Sequence, residues 1–204
     1  MFNKIFLKRG MTLVEMMVAV SLFSILTLVV TSSINAMYRY NSYTFAQAYQ
    51  VQNARLGMQS LIRDVREMTF ADDGTFPLAI MEENKIAFYS DIDRDNSVEY
   101  VEFSYNGTTT IIKNVYNATG SPLTYNLGSP DETYTLSRYV QNNIQGTSTF
   151  MYYDNDGNQL FSPSDITDVR FVQAQIIVNI DPVRDPGQFM LRSSASLRNV
   201  KENI

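Results

Sequence analysis

The chain has 204 residues and a formal net charge of −5, with 16 Lys and Arg against 21 Asp and Glu. It contains no Cys and no His, which excludes disulfides, thiolate nucleophiles, zinc ribbons and Ser–His–Asp hydrolases. The acidic balance argues against direct nucleic-acid binding, because phosphate backbones bind basic surfaces.

The N-terminal segment has the charge pattern of a membrane anchor. Lys4, Lys8 and Arg9 precede an apolar run over residues 11–34 in which Glu15 is the only charged residue. A membrane-spanning helix needs about 20 apolar residues, and the basic flank predicts a cytoplasmic N-terminus with the C-terminal bulk outside. A secretory signal peptide is the alternative, but its apolar core is shorter and is followed by a small-residue cleavage site.

Residues 10–15, GMTLVE, together with the basic leader and the apolar run, resemble the class III prepilin signal of type IV pilins and type II secretion pseudopilins. The resemblance implies that a prepilin peptidase cuts between Gly10 and Met11, that the new N-terminus is methylated, and that Glu15 guides assembly. Met11 departs from the Phe that is usual in the family. Loss of the leader leaves 13 Lys and Arg against 21 Asp and Glu, a net charge of −8.

The role of Glu15 also has a physical basis. An isolated carboxylate is costly in lipid and is usually functional there. The N-terminal ammonium of a neighbouring subunit would neutralise it in a helical bundle, which favours one axial register. The alternative is an ordinary anchor that tolerates one acid.

The helix is predicted to continue beyond the membrane, from Met11 to about Met68. Apolar residues recur at spacings of three and four, which is typical of an amphipathic helix: Val51, Ala54, Met58, Leu61, Val65 and Met68. Four charged residues fall largely off this stripe: Arg55, Arg63, Asp64 and Arg66. The sequence DDG at 72–74 is a stop signal. Two helices that break near residues 40–42 are the alternative.

Strand patterns follow the helix. Residues 85–90, 98–105 and 109–116 alternate in polarity, and Asn106-Gly107 predicts a hairpin between the second and third of these segments. Residues 150–153 and 159–161 suggest a second hairpin, and residues 172–180 and 188–198 a final pair. Residues 117–133 are rich in Asn, Gly, Ser, Pro and Thr and are predicted to form a loop.

The predicted fold class is therefore α+β, a long N-terminal helix packed on an antiparallel β-sheet head. The predicted organisation is a leader (1–10), a transmembrane and assembly half of the helix (11–34), an amphipathic half that packs on the head (35–70), and a β-rich head (71–204). The segments YSDIDRDNSVEYVEF, MYYDNDGNQL and SASLRN resemble J-type minor pseudopilins and W-type minor pilins.

An acidic run between two predicted strands is the strongest candidate for metal binding. Against the calcium-loop template that begins at Asp91, acids fall at positions 1, 3, 5, 9 and 12, which suits the hard oxygen ligands of Ca²⁺. The candidate ligands are Asp91, Asp93, Asp95 and Glu102. Asn96 replaces the usual Gly at position 6, and Arg94 is a possible internal counter-ion. The alternative is a solvated acidic turn without a metal.

The resemblance implies a minor pilin or pseudopilin that primes or caps a type IV pilus-like or type II secretion filament. It is expected not to be an enzyme and to need no cofactor besides possible Ca²⁺. The implied partners are the prepilin peptidase, other pilins and an inner-membrane assembly platform. The chain is expected to span the cytoplasmic membrane once before it enters an extracytoplasmic filament. The alternatives are a major shaft pilin, a membrane-anchored Ca²⁺-binding or adhesive ectodomain, and an exported enzyme.

Overall fold

A computed structural model describes residues 10–95, 97–105, 109–184 and 187–197. These residues divide into two compact units, one that ends at Phe45 and one that begins at Ala46. The fold class is α+β as predicted, a long N-terminal helix followed by antiparallel sheets.

Helix α1 spans Leu13–Arg66, 54 residues. It has no break at residues 40–42, so the alternative of two helices is wrong. Arg63 and Arg66 lie in its last turn, where positive charge interacts favourably with the helix dipole. The helix ends two residues before the predicted Met68.

The head contains three antiparallel sheets. The order of the five-stranded sheet is β1-β2-β3-β4-β7, that of the four-stranded sheet is β11-β10-β8-β9, and β5 pairs with β6. The strands are β1 (Leu78–Met81), β2 (Lys85–Ser90), β3 (Glu99–Tyr105), β4 (Ile111–Tyr116), β5 (Ala118–Thr119), β6 (Thr124–Tyr125), β7 (Glu132–Ser137), β8 (Phe150–Tyr153), β9 (Gln159–Leu160), β10 (Phe171–Val178) and β11 (Phe189–Ser196). A 3₁₀ helix covers Pro163–Asp168.

The three predicted strand pairs are confirmed. β3 pairs with β4, β8 with β9, and β10 with β11, all antiparallel. The predicted Asn106-Gly107 turn lies outside the described residues, but Tyr105 pairs with Ile111 on either side of it.

The prediction of a loop over residues 117–133 is wrong in part. This segment contains the short β5–β6 hairpin and the first residues of β7. β7 is an edge strand, and all its residues from Glu132 to Thr135 are exposed. Four of the six residues of β7 are polar and its first four residues are exposed, and therefore its sequence resembles the polar segment before it.

The main hydrophobic core lies between the second half of α1 and the two larger sheets. The predicted stripe is buried from Ala54 to Met68, whereas Val51 is half-buried. Ile86 and Phe88 of β2 face this core, as do Phe150 of β8 and Ile176 of β10. The amphipathic half of the helix thus shares one apolar cluster with both sheets.

The opposite face of the five-stranded sheet carries a tyrosine cluster. Tyr89, Tyr100 and Tyr116 lie side by side on β2, β3 and β4, with neighbouring ring centroids 5.4 and 5.6 Å apart. Tyr125 packs on this row and donates a hydrogen bond of 2.8 Å to the carbonyl of Val98. The β5–β6 hairpin is thereby anchored to the back of the sheet.

A buried ion pair links α1 to β4. Lys113 Nζ lies 2.7 Å from Asp64 Oδ2, and their side chains are 7% and 1% exposed. Arg63 also contacts Asp64, at 3.0 Å. Asp64 falls off the apolar stripe in sequence but is buried, because β4 brings a cation to it. Removal of one partner from such a pair typically costs about 3–5 kcal/mol.

Gly57 permits the closest approach of α1 to a neighbouring strand. A Cβ atom at this position would lie 2.7 Å from the carbonyl oxygen of Leu136 and 3.0 Å from its Cβ. Real Cβ atoms do not approach backbone so closely, and therefore the helix lies against β7 only because residue 57 lacks a side chain.

We expect Gly57→Ala to destabilise the head, although Ala is the better helix former. Overpacking costs about 1–3 kcal/mol, whereas Gly→Ala in a helix interior returns at most about 1 kcal/mol. Thermal denaturation of the full chain in detergent should show a lower melting temperature. Gln52→Ala, on an exposed position of the same helix, is the control and should not lower it. An unchanged or raised melting temperature in Gly57→Ala would contradict the close contact.

Candidate functional site

The first turn of α1 holds Glu15 in a capping box. Its Oε2 accepts hydrogen bonds from the backbone N–H and the hydroxyl of Thr12, at 2.8 and 2.9 Å. The backbone N–H of Glu15 donates to Thr12 Oγ1 at 3.3 Å. The Thr-x-x-Glu spacing is a known N-terminal signature of helices, since each side chain satisfies a backbone donor of the other residue.

The residues around the expected cleavage position are open to solvent in the isolated chain. Gly10 is exposed and precedes the helix, and Met11 is 66% exposed. The leader residues 1–9 lie outside the described residues. The bond between Gly10 and Met11 therefore lies in non-helical chain, two residues before α1 begins.

The apolar half of α1 has the properties of a membrane span. Its large apolar side chains are exposed from Met11 to Ile34, and this helix is long and apolar enough to cross a membrane. Five hydroxyls within it donate to carbonyls one turn earlier in the same helix: Ser21 to Val18, Ser24 to Val20, Thr27 to Phe23, and Ser32 and Ser33 to Val29. Such bonds keep polar groups paired where no water is present. Glu15 is thus the one charged group in this half.

The acidic run forms a second candidate site, on the loop from β2 to β3. Carboxylate oxygens of Asp91, Asp93 and Glu99 all lie within 4.8 Å of one another. Glu99 is only 3% exposed, and its Oε2 accepts a hydrogen bond from the backbone N–H of Ile92 at 2.9 Å. Asp91 Oδ1 is buried and has no hydrogen-bond partner among the described residues. Three acids therefore converge on one small volume.

The structure does not bring the other two predicted ligands into this cluster. Asp95 accepts a hydrogen bond from the backbone N–H of Ser97 at 2.8 Å. Glu102 pairs with Lys85 at 2.7 Å, on the neighbouring strand. Position 9 of the template, Glu99, supplies the third acid of the cluster instead of position 12.

Arg94 does not neutralise the acidic cluster. Its guanidinium lies 3.7 Å from the carboxylate of Glu67, near the end of α1. Arg94 has a φ of 63°, in the left-handed region. Asn96 itself lies outside the described residues. The turn therefore places the Arg94 side chain beside Glu67 at the end of the helix.

Burial and nearby acids change the protonation of Glu99. Burial and, to a smaller extent, the negative charges of Asp93, Asp91 and Asp95 raise the pKa of Glu99 to about 7, although the hydrogen bond from the N–H of Ile92 opposes the shift. Like charges that share a site disfavour ionisation. The surroundings of Glu99 therefore favour its protonated form.

Sequence reasoning missed two residues of these sites. Thr12 was quoted within the GMTLVE motif but given no role, although the Thr-x-x-Glu spacing signals a capping box. Glu99 was recognised as an acid at position 9 of the calcium template but was not chosen as a ligand. Its burial follows from its place at the start of β3, which the template does not describe.

Comparison with known families places the N-terminal site in a defined class. The model of the prokaryotic N-terminal methylation motif matches residues 6–31. The comparisons with curated proteins and with solved structures found no match. The chain thus carries the class III prepilin signal of the type IV pilin and pseudopilin family, whose members are structural subunits. Together with the apolar helix, this signal indicates a membrane-anchored pilin-like protein.

We expect Glu99 to make the head less stable as the pH rises from about 4.5 to about 7. Its pKa is raised from 4.5 to about 7 in the folded chain, so the folded state binds more protons than the unfolded state within this window. The loss of stability due to Glu99 is absent below this pH range and complete above it. Glu99→Gln should remove this part of the pH dependence and should raise the melting temperature above about pH 7.

The measurement is the melting temperature of the full chain in detergent with a metal chelator, from about pH 4 to about pH 8. Glu83→Gln, at an exposed position, is the matched control and should follow the unsubstituted chain. An identical pH profile for Glu99→Gln and the control would show that Glu99 does not titrate as described.

Proposed function

We propose that this chain is a minor pilin or pseudopilin, a subunit that primes or caps a type IV pilus-like or type II secretion filament. The observation that carries the proposal is the position of Glu15, the single charge in the exposed apolar half of α1, within a matched methylation motif. Its partners are a prepilin peptidase, an inner-membrane assembly platform and other pilins. No enzymatic activity is assigned.

Cleavage between Gly10 and Met11 would create a positive charge beside Glu15. The new α-ammonium of Met11 would precede Thr12 by one residue, and Thr12 N–H already bonds the Glu15 carboxylate. Before cleavage the carboxylate has only these neutral donors among the described residues. In lipid a carboxylate needs a cation, and the ammonium of an adjacent subunit meets that need at one axial offset.

A minor position is supported by two features of the head. Residues 46–204 form a large unit beyond the apolar helix. The segments at residues 89–103, 151–160 and 194–199 resemble J-type minor pseudopilins and W-type minor pilins, which are scarce subunits. A priming or capping subunit contacts subunits of other kinds, whereas a shaft subunit makes the same contact with further copies of itself. A major shaft pilin is the alternative within this class.

We expect Glu15→Ala to be cleaved normally but to enter filaments at least about tenfold less, since tenfold corresponds to the loss of about 1.4 kcal/mol of contact free energy. Intact mass after coexpression with a prepilin peptidase reports cleavage, and quantitative mass spectrometry of purified filaments reports incorporation and copy number. Gly10→Val is the control and should remain uncut. The minor position predicts a small copy number relative to the main subunit.

Several results would contradict this proposal. Cleavage at another bond would refute the processing site, and normal incorporation of Glu15→Ala would refute the role of its charge. A chain that makes up most of the filament would be a major subunit. A chain that is never cut by an active peptidase would be a membrane-anchored ectodomain instead.

A Ca²⁺ site at Asp91, Asp93 and Glu99 is a second proposal. The buried and unpartnered Asp91 Oδ1 supports it, because an ionised oxygen without a donor is costly in a protein interior. The three convergent carboxylates offer the oxygen ligands that Ca²⁺ prefers. Asp95 and Glu102, which the template also suggests, have other partners.

We expect about 1 mM Ca²⁺ to raise the melting temperature of the full chain near pH 8, as in extracellular calcium modules. Asp93→Asn should abolish this rise. Asp156→Asn, in another exposed acidic turn, is the matched control and should retain it. The absence of any rise in the unsubstituted chain would mean that the cluster binds protons only.

A further inference from the structure

A cationic groove lies between the C-terminal part of α1 and strand β11. Four arginines line it: Arg55, Arg63 and Arg66 from the helix, and Arg192 from the strand. Its volume is about 590 Å³. These are four of the 13 Lys and Arg that follow the leader, in a chain that is acidic as a whole. The concentration of positive charge is therefore local.

Little within the head offsets this charge. Arg55 and Arg66 are exposed and have no hydrogen-bond or ion-pair partner among the described residues. Arg192 donates two hydrogen bonds to the side-chain oxygen of Gln175, a neutral group that leaves its charge intact. Glu67, the one acid in the groove, is also contacted by Arg94. Arg63 shares the carboxylate of Asp64 with Lys113.

The groove has the size of a short extended peptide. Arg55 and Arg66 are 11 residues apart on α1, about 16 Å along the axis and nearly on one face. An extended chain covers that distance with about five residues. Planar guanidinium groups bind carboxylates in paired hydrogen bonds, and so this spacing suits alternate acidic side chains.

Strand β11 adds backbone groups to the same groove. It is the last strand of its sheet, and Leu191, Arg192 and Ser193 line the groove. β11 carries one charge in eight residues. A long edge strand with few charges is open to pairing with another extended chain.

The larger groove along β7 lacks this one-sided charge. Its volume is about 870 Å³, and it is lined by Arg63, Lys113 and Arg138 together with Asp93 and Glu132. Because this groove carries both positive and negative side chains, its charge does not favour a partner of either sign. Of these two grooves, the α1–β11 groove is lined mainly by positive charge and therefore favours a negatively charged partner.

We infer that the α1–β11 groove binds an extended, carboxylate-rich segment of a neighbouring filament subunit. This inference rests on the proposed function, which places the head among other pilin-like subunits. A nucleic acid fits less well, because the net charge of −8 after cleavage repels a long polyanion. The contact is heterologous, since the groove of one subunit meets a different surface of the next, and such contacts build open helical filaments.

The test uses the full chain in detergent and a fluorescent hexaglutamate peptide as the probe. We expect binding that weakens strongly when the salt rises from about 50 mM to about 500 mM. The double variant Arg55→Glu/Arg66→Glu should bind at least about tenfold more weakly. Arg138→Glu/Arg184→Glu, which changes the net charge equally but lies outside the groove, should bind as the unsubstituted chain does.

Three results would overturn the inference. The first is no hexaglutamate binding at low salt, and the second is an equal loss in both double variants, which would reflect net charge alone. The third is tighter binding of a 20-base-pair DNA duplex through the same arginines. A second readout is filament incorporation of Arg55→Glu/Arg66→Glu, which should fall while cleavage after Gly10 stays normal. Failure of cleavage in the unsubstituted chain would refute the proposed function and leave the peptide result standing on its own.

Discussion

The two ends of α1 need different environments, lipid or other apolar helices for the first and the head for the second. The rest of the structure depends on this difference. Its first half exposes large apolar side chains, pairs the hydroxyls of Ser21, Ser24 and Thr27 with its own backbone, and carries one charge. Apolar surface in contact with water costs about 25 cal/mol per Å², so this half is stable only in lipid or among other apolar helices. From Ala54 onward, the helix buries one face within the chain itself. Membrane anchoring follows from this exposed apolar half.

The head is built around the buried half of the helix. Both larger sheets share one core with it, and the Asp64–Lys113 ion pair and the Gly57–Leu136 contact bring it against β4 and β7. The outermost strands β7 and β11 border the grooves beside the helix. Because edge strands have free backbone groups, the same packing that stabilises the head also creates surfaces suited to neighbouring subunits.

Charge is distributed unevenly over the head. The β2–β3 loop concentrates acids, and burial together with these acids raises the pKa of Glu99 to about 7, whereas the α1–β11 groove concentrates arginines. A subunit with separate surfaces of opposite sign meets its neighbours in a preferred orientation, since like charges oppose the other arrangements. The proposed role of Glu15 depends on the same principle in a medium of much lower dielectric constant, where a single charge has a larger effect.

The sequence by itself determined the features that depend on local spacing. The basic leader, Gly10, Glu15 and the apolar run predicted the motif that matches residues 6–31. Periodicity predicted the buried stripe from Ala54 to Met68 and the three strand pairs, because side-chain direction follows the period of each element. These signals need no knowledge of distant residues.

Only the tertiary structure decided the features that depend on distant partners. Asp64 is buried because β4 supplies Lys113, and β7 was missed because its neighbours, not its own polarity, make it a strand. Glu99 replaces Glu102 in the acidic cluster because the two side chains lie three residues apart on β3, and alternation along a strand directs them to opposite faces. The arginine groove likewise exists only because β11 brings Arg192 beside α1. Local spacing determines the direction of a side chain, whereas the folded chain determines which residues it contacts.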